Sequence, residues 1–183
     1  MKTAAIILNI LIIILEMAGA SRSEMKVTLR TFVFYTQISN AMTFISSILL
    51  ILFGSRPWTV MLRYTSCCFM LMTFIIVIFV LVPMSREVKK LLFSGTGLYF
   101  HLLCPLTSIA SYILFESHAH LWILPTVLTF IYGMAMLYLN YIGKVDGPYP
   151  FFRVRRQSKT ATLLWMTALT CLIAFLSFIL SRA

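Results

Sequence analysis

The sequence has few charged side chains, and acidic ones are especially rare. Its 183 residues include five Asp and Glu, fifteen Lys and Arg, and three His, and charged residues amount to 11%. Hydrophobic residues make up 61%, and the mean hydropathy is +0.96. In a soluble domain the apolar fraction is nearer one half, even when glycine is counted. This composition therefore excludes a soluble globular protein.

Cysteine is also scarce, and the four cysteines have no spacing typical of a metal site. All of them lie inside apolar stretches: Cys67, Cys68, Cys104 and Cys171. Thiols in such positions behave as small apolar side chains, so we expect them to be free. We expect neither a disulfide framework nor a metal or other cofactor.

Long apolar stretches dominate the chain instead. A bilayer core needs about 20 apolar residues per helix, and six stretches reach or approach that length. They are residues 4–20, 31–53, 58–83, 96–115, 119–142 and 160–181. The linkers between them leave no room for a separate soluble domain. The sequence predicts an all-α integral membrane protein, with residues 1–183 forming a single bundle of six transmembrane helices.

The net charge of +10 is explained by topology once the basic residues are mapped. Most of them lie in loops 1, 3 and 5: Arg22, Lys26, Arg30, Arg86, Lys89, Lys90, Lys144, Arg153, Arg155, Arg156 and Lys159. By the positive-inside rule these loops face the cytoplasm and both termini lie outside. The basic run at residues 153–159 then lies near anionic lipid head groups. We expect membrane lipids, and no nucleic acid, as partners.

The first apolar stretch also resembles a secretory signal peptide, because Lys2 precedes it and the small residues Ala18-Gly19-Ala20 follow it. Cleavage there would place the first basic loop outside and would tend to invert the other basic loops. We therefore expect the first helix to be retained.

Polar residues inside the apolar stretches fall mostly toward the inner end of the bundle. Thr36 lies about 9 Å into the second stretch at 1.5 Å per residue, and His101 lies at about the same depth in the fourth. Asn40 follows Thr36 by one turn, and Glu16 and Asn140 lie near the inner ends of the first and fifth stretches. Because polar groups at membrane depth are costly, these five residues are candidates for a functional site.

A hydroxyl beside an imidazole is the minimal pair for nucleophilic catalysis. His101 would take the proton while the Thr36 oxygen attacks an acyl carbon, and would then return it to the leaving group. Asn40 or Asn140 would donate hydrogen bonds to the oxyanion, a role worth about 3–4 kcal/mol in acyl-transfer enzymes. Glu16 would orient the imidazole ring.

The same residues have structural interpretations. A Thr in a membrane helix often bonds the carbonyl one turn earlier, small polar side chains join membrane helices, and Glu16 can reach the interface. The turn at residues 116–120, with one Glu and two His, is interpreted as a solvated outer loop, with a metal site as the minor alternative. Tyr149, Phe151 and Phe152 are interpreted as interfacial aromatic residues.

Three segments resemble, in the same order, those of a known membrane protein family. Residues 35–40 (YTQISN) resemble its threonine segment, residues 100–105 (FHLLCP) its histidine segment, and residues 147–152 (GPYPFF) its Tyr-Pro-Phe loop before the last helix. The family comprises the androgen-induced and androgen-dependent-TFPI-regulating membrane proteins. The threonine segment is most similar to that of the bacterial branch.

This resemblance implies a six-helix fold in a bacterial plasma membrane. The animal members are threonine hydrolases that cleave fatty acid esters of hydroxy fatty acids with one Thr and one His. The resemblance assigns those roles to Thr36 and His101, with a lipid or fatty acyl ester as substrate. Two alternatives remain open. One is a non-catalytic bundle that binds or transports a lipid or small molecule, and the other is a protein whose polar residues only pack helices or bind a partner.

Overall fold

The computed structural model describes residues 2–23 and 29–183, except for the side chains of Leu29, Arg30 and Lys90. Three of the basic residues assigned above to loops 1 and 3 are affected. Lys26 lies outside the described residues, and so do the side chains of Arg30 and Lys90.

Six helices in the described residues are long and apolar enough to cross a membrane. They are α1 (Thr3–Ser21), α2 (Tyr35–Phe53), α3 (Pro57–Ser85), α4 (Leu98–Phe115), α5 (Ile123–Tyr141) and α6 (Lys159–Leu180). Shorter helical turns occupy parts of the linkers: Leu29–Val33, Lys89–Phe93, Pro150–Phe152 and Val154–Arg156. The predicted fold class, an all-α six-helix membrane bundle, is confirmed.

The start of α2 differs from the boundary expected from hydropathy. Residues Leu29–Val33 form a 3₁₀ turn, and Phe34 is extended, with φ −87° and ψ 124°. The α-helix therefore begins at Tyr35 rather than near residue 31. As a result, Thr36 lies in the first turn of α2, where backbone N–H groups have no partner within the helix.

Two helices widen into π-helical turns next to a proline. In α3 the segment Val77–Leu81 precedes Pro83, and in α4 the segment Leu98–Leu103 precedes Pro105. A proline inside a helix removes one N–H donor and its ring crowds the carbonyl four residues earlier. The wider turns relieve that crowding. His101 lies in the second of them.

Helix α3 is the centre of the bundle. It packs against α2 and α4 on one side, where α1 completes a four-helix group, and against α5 and α6 on the other. The four-helix group of α1 to α4 contains most of the buried polar side chains, whereas aromatic and aliphatic side chains fill the space among α3, α5, α6 and the loop before α6.

Candidate functional site: a threonine at a helix start

Thr36 is held by the phenol of Tyr149, which belongs to the loop between α5 and α6. The two side-chain oxygens are 2.9 Å apart, and the Thr36 backbone N–H donates to the same phenolic oxygen at 3.2 Å. Tyr149 therefore supplies a partner for an N–H group that the helix leaves open. Because the phenolic oxygen accepts this N–H, its own hydrogen is available to the Thr36 hydroxyl oxygen.

The phenol of Tyr149 is a neutral hydrogen-bond donor. Burial raises its pKa, and this effect outweighs the opposing effect of the hydrogen bonds with Thr36. The ring is also fixed in place, because it stacks on Phe151 at a centroid distance of 5.2 Å and meets Phe34 edge-on at 6.2 Å. Tyr149 can thus position a hydroxyl or stabilise a negative charge. Because the phenol stays protonated, it does not act as a base.

Tyr149, Phe151 and Phe152 are all buried, so their interpretation as interfacial residues is wrong. The physical reason is that their loop folds back into the bundle. At Gly147 an added Cβ would lie 2.7 Å from the Phe152 carbonyl oxygen, a spacing that only glycine tolerates. Asn140 supports the same loop by donating from Nδ2 to the Val145 carbonyl at 2.9 Å.

A narrow apolar cavity of about 50 Å³ begins at Thr36 and Tyr149. Met166 of α6 lines this cavity and also lines a second space of about 480 Å³ between α5 and α6, which faces the lipid side of the bundle. Met166, together with Thr170, therefore lies between the Thr36 cavity and a lipid-facing groove. Lys159 and Thr162, in the first turn of α6, lie at one end of that groove.

His101 has the tautomer that a general base needs. Its Nδ1 lies 2.8 Å from the carbonyl oxygen of Leu91, and a carbonyl can only accept, so Nδ1 carries the hydrogen. In the neutral ring Nε2 then holds the lone pair. The π-helical segment with His101 packs against α1 and α2. Within the described residues, however, no hydrogen bond joins His101 to Thr36.

The other candidates have partners of their own. Asn40 donates from Nδ2 to the Thr36 carbonyl at 2.6 Å, so it is adjacent to the site through the backbone. The Glu16 carboxyl group contacts the thiol of Cys104 rather than the imidazole of His101. Asn140 is engaged with its loop. The structure thus brings Asn40 next to Thr36 and adds Tyr149.

No family model, curated protein or solved structure matches this chain. The geometry of its own residues must therefore support any functional assignment.

A second polar cluster lies toward the end of the bundle opposite Thr36, and the sequence interpretation missed it. Arg63 and Glu116 form an ion pair at 3.0 Å, with each side chain only 1% exposed. One Glu116 oxygen also accepts from Asn9 at 2.9 Å and from Ser111 at 2.6 Å. Arg63 donates to the Ser108 hydroxyl at 2.9 Å. The interpretation of Glu116 as part of a solvated loop is wrong.

The two histidines after Glu116 do not join it. His118 Nε2 lies 3.1 Å from the Tyr112 carbonyl oxygen, and His120 Nδ1 lies 3.0 Å from that of Ser181. Among the described residues no group of three His, Cys, Asp or Glu comes together in a way that would hold a metal. The sequence contained a signal for this pairing, because Arg63 is the sixth residue of the third apolar stretch, where an isolated charge needs a partner.

Proposed function

We propose that the protein is an intramembrane hydrolase of lipid esters, with Thr36 as nucleophile and His101 as general base. The observation that carries this proposal is the setting of Thr36. Its hydroxyl lies at a helix start, is bonded by a neutral phenol and borders an apolar cavity. The resemblance to the threonine hydrolases among the androgen-induced membrane proteins supports the same assignment.

The groove between α5 and α6 favours a fatty acyl ester as the substrate. Hydrocarbon chains from the bilayer can enter it laterally, and a shift of the flexible Met166 side chain would join it to the Thr36 cavity. Lys159 at one end of the groove suits a carboxylate or another anionic group on the substrate. A fatty acid ester of a hydroxy fatty acid has both features.

The reaction divides into two acyl transfers. His101 Nε2 takes the Thr36 hydroxyl proton while Oγ1 bonds to the ester carbon, and the proton then passes to the alcohol as the ester bond breaks. Water attacks the acyl-threonine with His101 again as base, which releases the fatty acid and restores the hydroxyl. The sum is one ester and one water giving one acid and one alcohol.

Charge on the oxyanion would be stabilised by groups already next to Thr36. The start of α2 carries the positive end of the helix dipole, and the Tyr149 phenol can turn its hydrogen toward a developing negative charge. Tyr149 is therefore a better candidate donor than Asn140, whose amide is engaged with Val145. Donors of this kind are worth about 3–4 kcal/mol in acyl-transfer enzymes.

The test is covalent labelling of the purified, detergent-solubilised protein with a fluorophosphonate probe, followed by mass mapping. We expect an adduct on Thr36 that is absent from Thr36→Ala and His101→Ala. Thr129→Ala is the matched control, because Thr129 lines the same cavity but bonds Tyr35 instead. An adduct that persists in His101→Ala, or no adduct on a folded protein, would refute the catalytic assignment.

A second candidate function is non-catalytic binding of a fatty acyl lipid. It is favoured by one observation, namely that Thr36 and His101 are hydrogen-bonded to different groups, Tyr149 and Leu91. This function predicts saturable binding of a fluorescent fatty acyl ester without any labelling of Thr36. It also predicts equal binding by His101→Ala and the unaltered protein.

We further propose that loops 1, 3 and 5 face the cytoplasm of a bacterial plasma membrane and that the termini lie outside. The distribution of basic residues supports this orientation. Ser55→Cys and Lys144→Cys, each in a Cys171→Ser background, place single exposed thiols on opposite sides. An impermeant maleimide should label the first in intact cells and the second only after permeabilisation. The reverse pattern would invert the topology.

A further inference from the structure

A third cavity, of about 400 Å³, lies between α1 and α2 near their inner ends. It shares no lining residue with the cavity at Thr36. Its polar lining includes Glu16 of α1 and Asn40 of α2, and its apolar lining includes the aromatic rings of Phe32, Phe44 and Phe100. The space is thus amphipathic, with the Glu16 and Asn40 acceptor groups facing a wall that includes three phenylalanine rings.

Both acceptor groups are buried and incompletely bonded. Glu16 is 5% exposed and Asn40 is 3% exposed, and within the described part of the chain neither Glu16 Oε1 nor Asn40 Oδ1 has a hydrogen-bond partner. The amide orientation of Asn40 is determined by its bond to the Thr36 carbonyl, which requires a donor there. Its oxygen therefore needs a donor from elsewhere.

Glu16 has no cationic partner among the side chains that the structure describes, and its carboxyl group contacts only the neutral thiol of Cys104. A buried carboxylate is strongly disfavoured unless a cation or several donors accompany it. Among the described side chains the buried cation is Arg63, and it is paired with Glu116. The phenylalanine rings around the cavity can attract a cation through their faces. Two acceptors, one of them a carboxyl group, and three phenylalanine rings together suit a positively charged hydrogen-bond donor.

We propose that this cavity binds the primary ammonium group of an amphiphile, whose hydrocarbon chain runs into the bilayer beside α1 and α2. A primary ammonium has three N–H donors, enough to reach both Glu16 and Asn40. A trimethylammonium has the charge but no donor, and an alcohol has a donor but no charge. The occupant is either the ethanolamine head group of a phospholipid or a free long-chain amine.

The first experiment measures thermal stability in a neutral maltoside detergent during titration with dodecylamine, dodecyltrimethylammonium or dodecanol. We expect a saturable rise in Tm with dodecylamine, and little with the other two. In Glu16→Gln the midpoint should move to about tenfold higher amine concentration, the effect of losing one hydrogen bond to a charged group. Glu87→Gln, which removes the same charge from an exposed inner loop, should behave like the unaltered protein.

A second variant keeps the test decisive if Glu16→Gln does not fold. Ala41 lines the cavity and is only partly buried, so Ala41→Phe should fill the space without altering either acceptor. It should abolish the dodecylamine response. The proposal is overturned if dodecanol stabilises as well as dodecylamine, or if folded cavity variants respond normally.

The source of the ammonium group is distinguished in nanodiscs. Native mass spectrometry of protein taken from mixed phosphatidylethanolamine and phosphatidylcholine should show retained phosphatidylethanolamine if a lipid head group is the occupant, and dodecylamine should displace it. Dodecylamine binding without retention of that lipid would identify a free amine. Binding of neither overturns the proposal. Thr36→Ala should bind normally, so this proposal and the hydrolase proposal fail separately.

Discussion

The phenolic oxygen of Tyr149 lies 2.9 Å from the hydroxyl oxygen of Thr36 and 3.2 Å from its backbone nitrogen, although the two residues are 113 positions apart. A residue of the loop before the last helix thus caps the first turn of the second helix. This contact connects two of the three segments on which the family resemblance depends. It also makes the Tyr-Pro-Phe loop part of the candidate site.

Tyr149→Phe should reduce labelling of Thr36 strongly while leaving the protein folded. The substitution keeps the ring that stacks on Phe151 but removes the hydroxyl, so one buried N–H loses its partner at a cost of about 1–3 kcal/mol. Tyr132→Phe is the matched control, because Tyr132 lines the same cavity and donates to the Val33 carbonyl at 2.8 Å. Equal labelling of both variants would show that the Tyr149 hydroxyl has no special role.

Hydropathy was sufficient to predict the six helices, because a membrane span needs only length and apolar composition. It did not predict where α2 begins, since residues 29–34 are as apolar as a helix start would be. Only the extended backbone at Phe34 and the cap from Tyr149 mark the first turn. Local composition contains no information about a partner so far away in the sequence.

The burial of polar residues was harder to predict for the same reason. Tyr149 beside a basic loop has the composition of an interfacial residue, and its inward position depends on the tight turn at Gly147. Arg63 and Glu116 each lie near a helix end, where either one alone would be solvated. They are buried because they pair with each other and because Asn9, Ser108 and Ser111 satisfy them.

Met166→Ala should open the passage between the lipid-facing groove and the Thr36 cavity. Truncation of a buried Met costs about 2–5 kcal/mol when the space stays empty. Here we expect a cost near the lower limit, because lipid chains can fill a space that is continuous with the groove. The ratio of labelling by a long-chain to a short-chain fluorophosphonate should rise. Leu164→Ala, on the exposed side of α6, is the control and should leave the ratio unchanged.

Gly19→Ala should destabilise the contact between α1 and α4. An added Cβ at Gly19 would lie 2.5 Å from Phe100 Cε1 and 2.9 Å from Tyr99 Cβ, so the helices must separate or the Phe100 ring must move. Overpacking of this kind costs about 1–3 kcal/mol. Because Phe100 lines the proposed amine cavity, dodecylamine binding should weaken together with Tm.

Gly133→Ala provides the comparison for that variant, since both glycines are helical and buried. The nearest atom to its added Cβ is the terminal Met166 Cε at 2.8 Å, the far end of a flexible side chain that can move away. We expect a small change in Tm and normal amine binding. A larger loss of stability in Gly133→Ala than in Gly19→Ala would contradict this account of α1 packing.

Removing one member of the Arg63–Glu116 pair should be more damaging than removing both. Arg63→Met leaves a buried carboxylate with only neutral donors, and loss of one partner from such a pair typically costs about 3–5 kcal/mol. Arg63→Met combined with Glu116→Leu removes both charges, so this double variant should regain part of the lost stability, measured by thermal unfolding in detergent.

The exposed pair Arg156–Asp146, at 3.9 Å, provides the control. Asp146→Asn should change stability by less than about 1 kcal/mol, because solvent screens that pair. Glu116→Leu is also measured alone. If the losses of stability in Arg63→Met and Glu116→Leu add up to the loss in the double variant, the two side chains do not stabilise each other across the interface of α3 and α4.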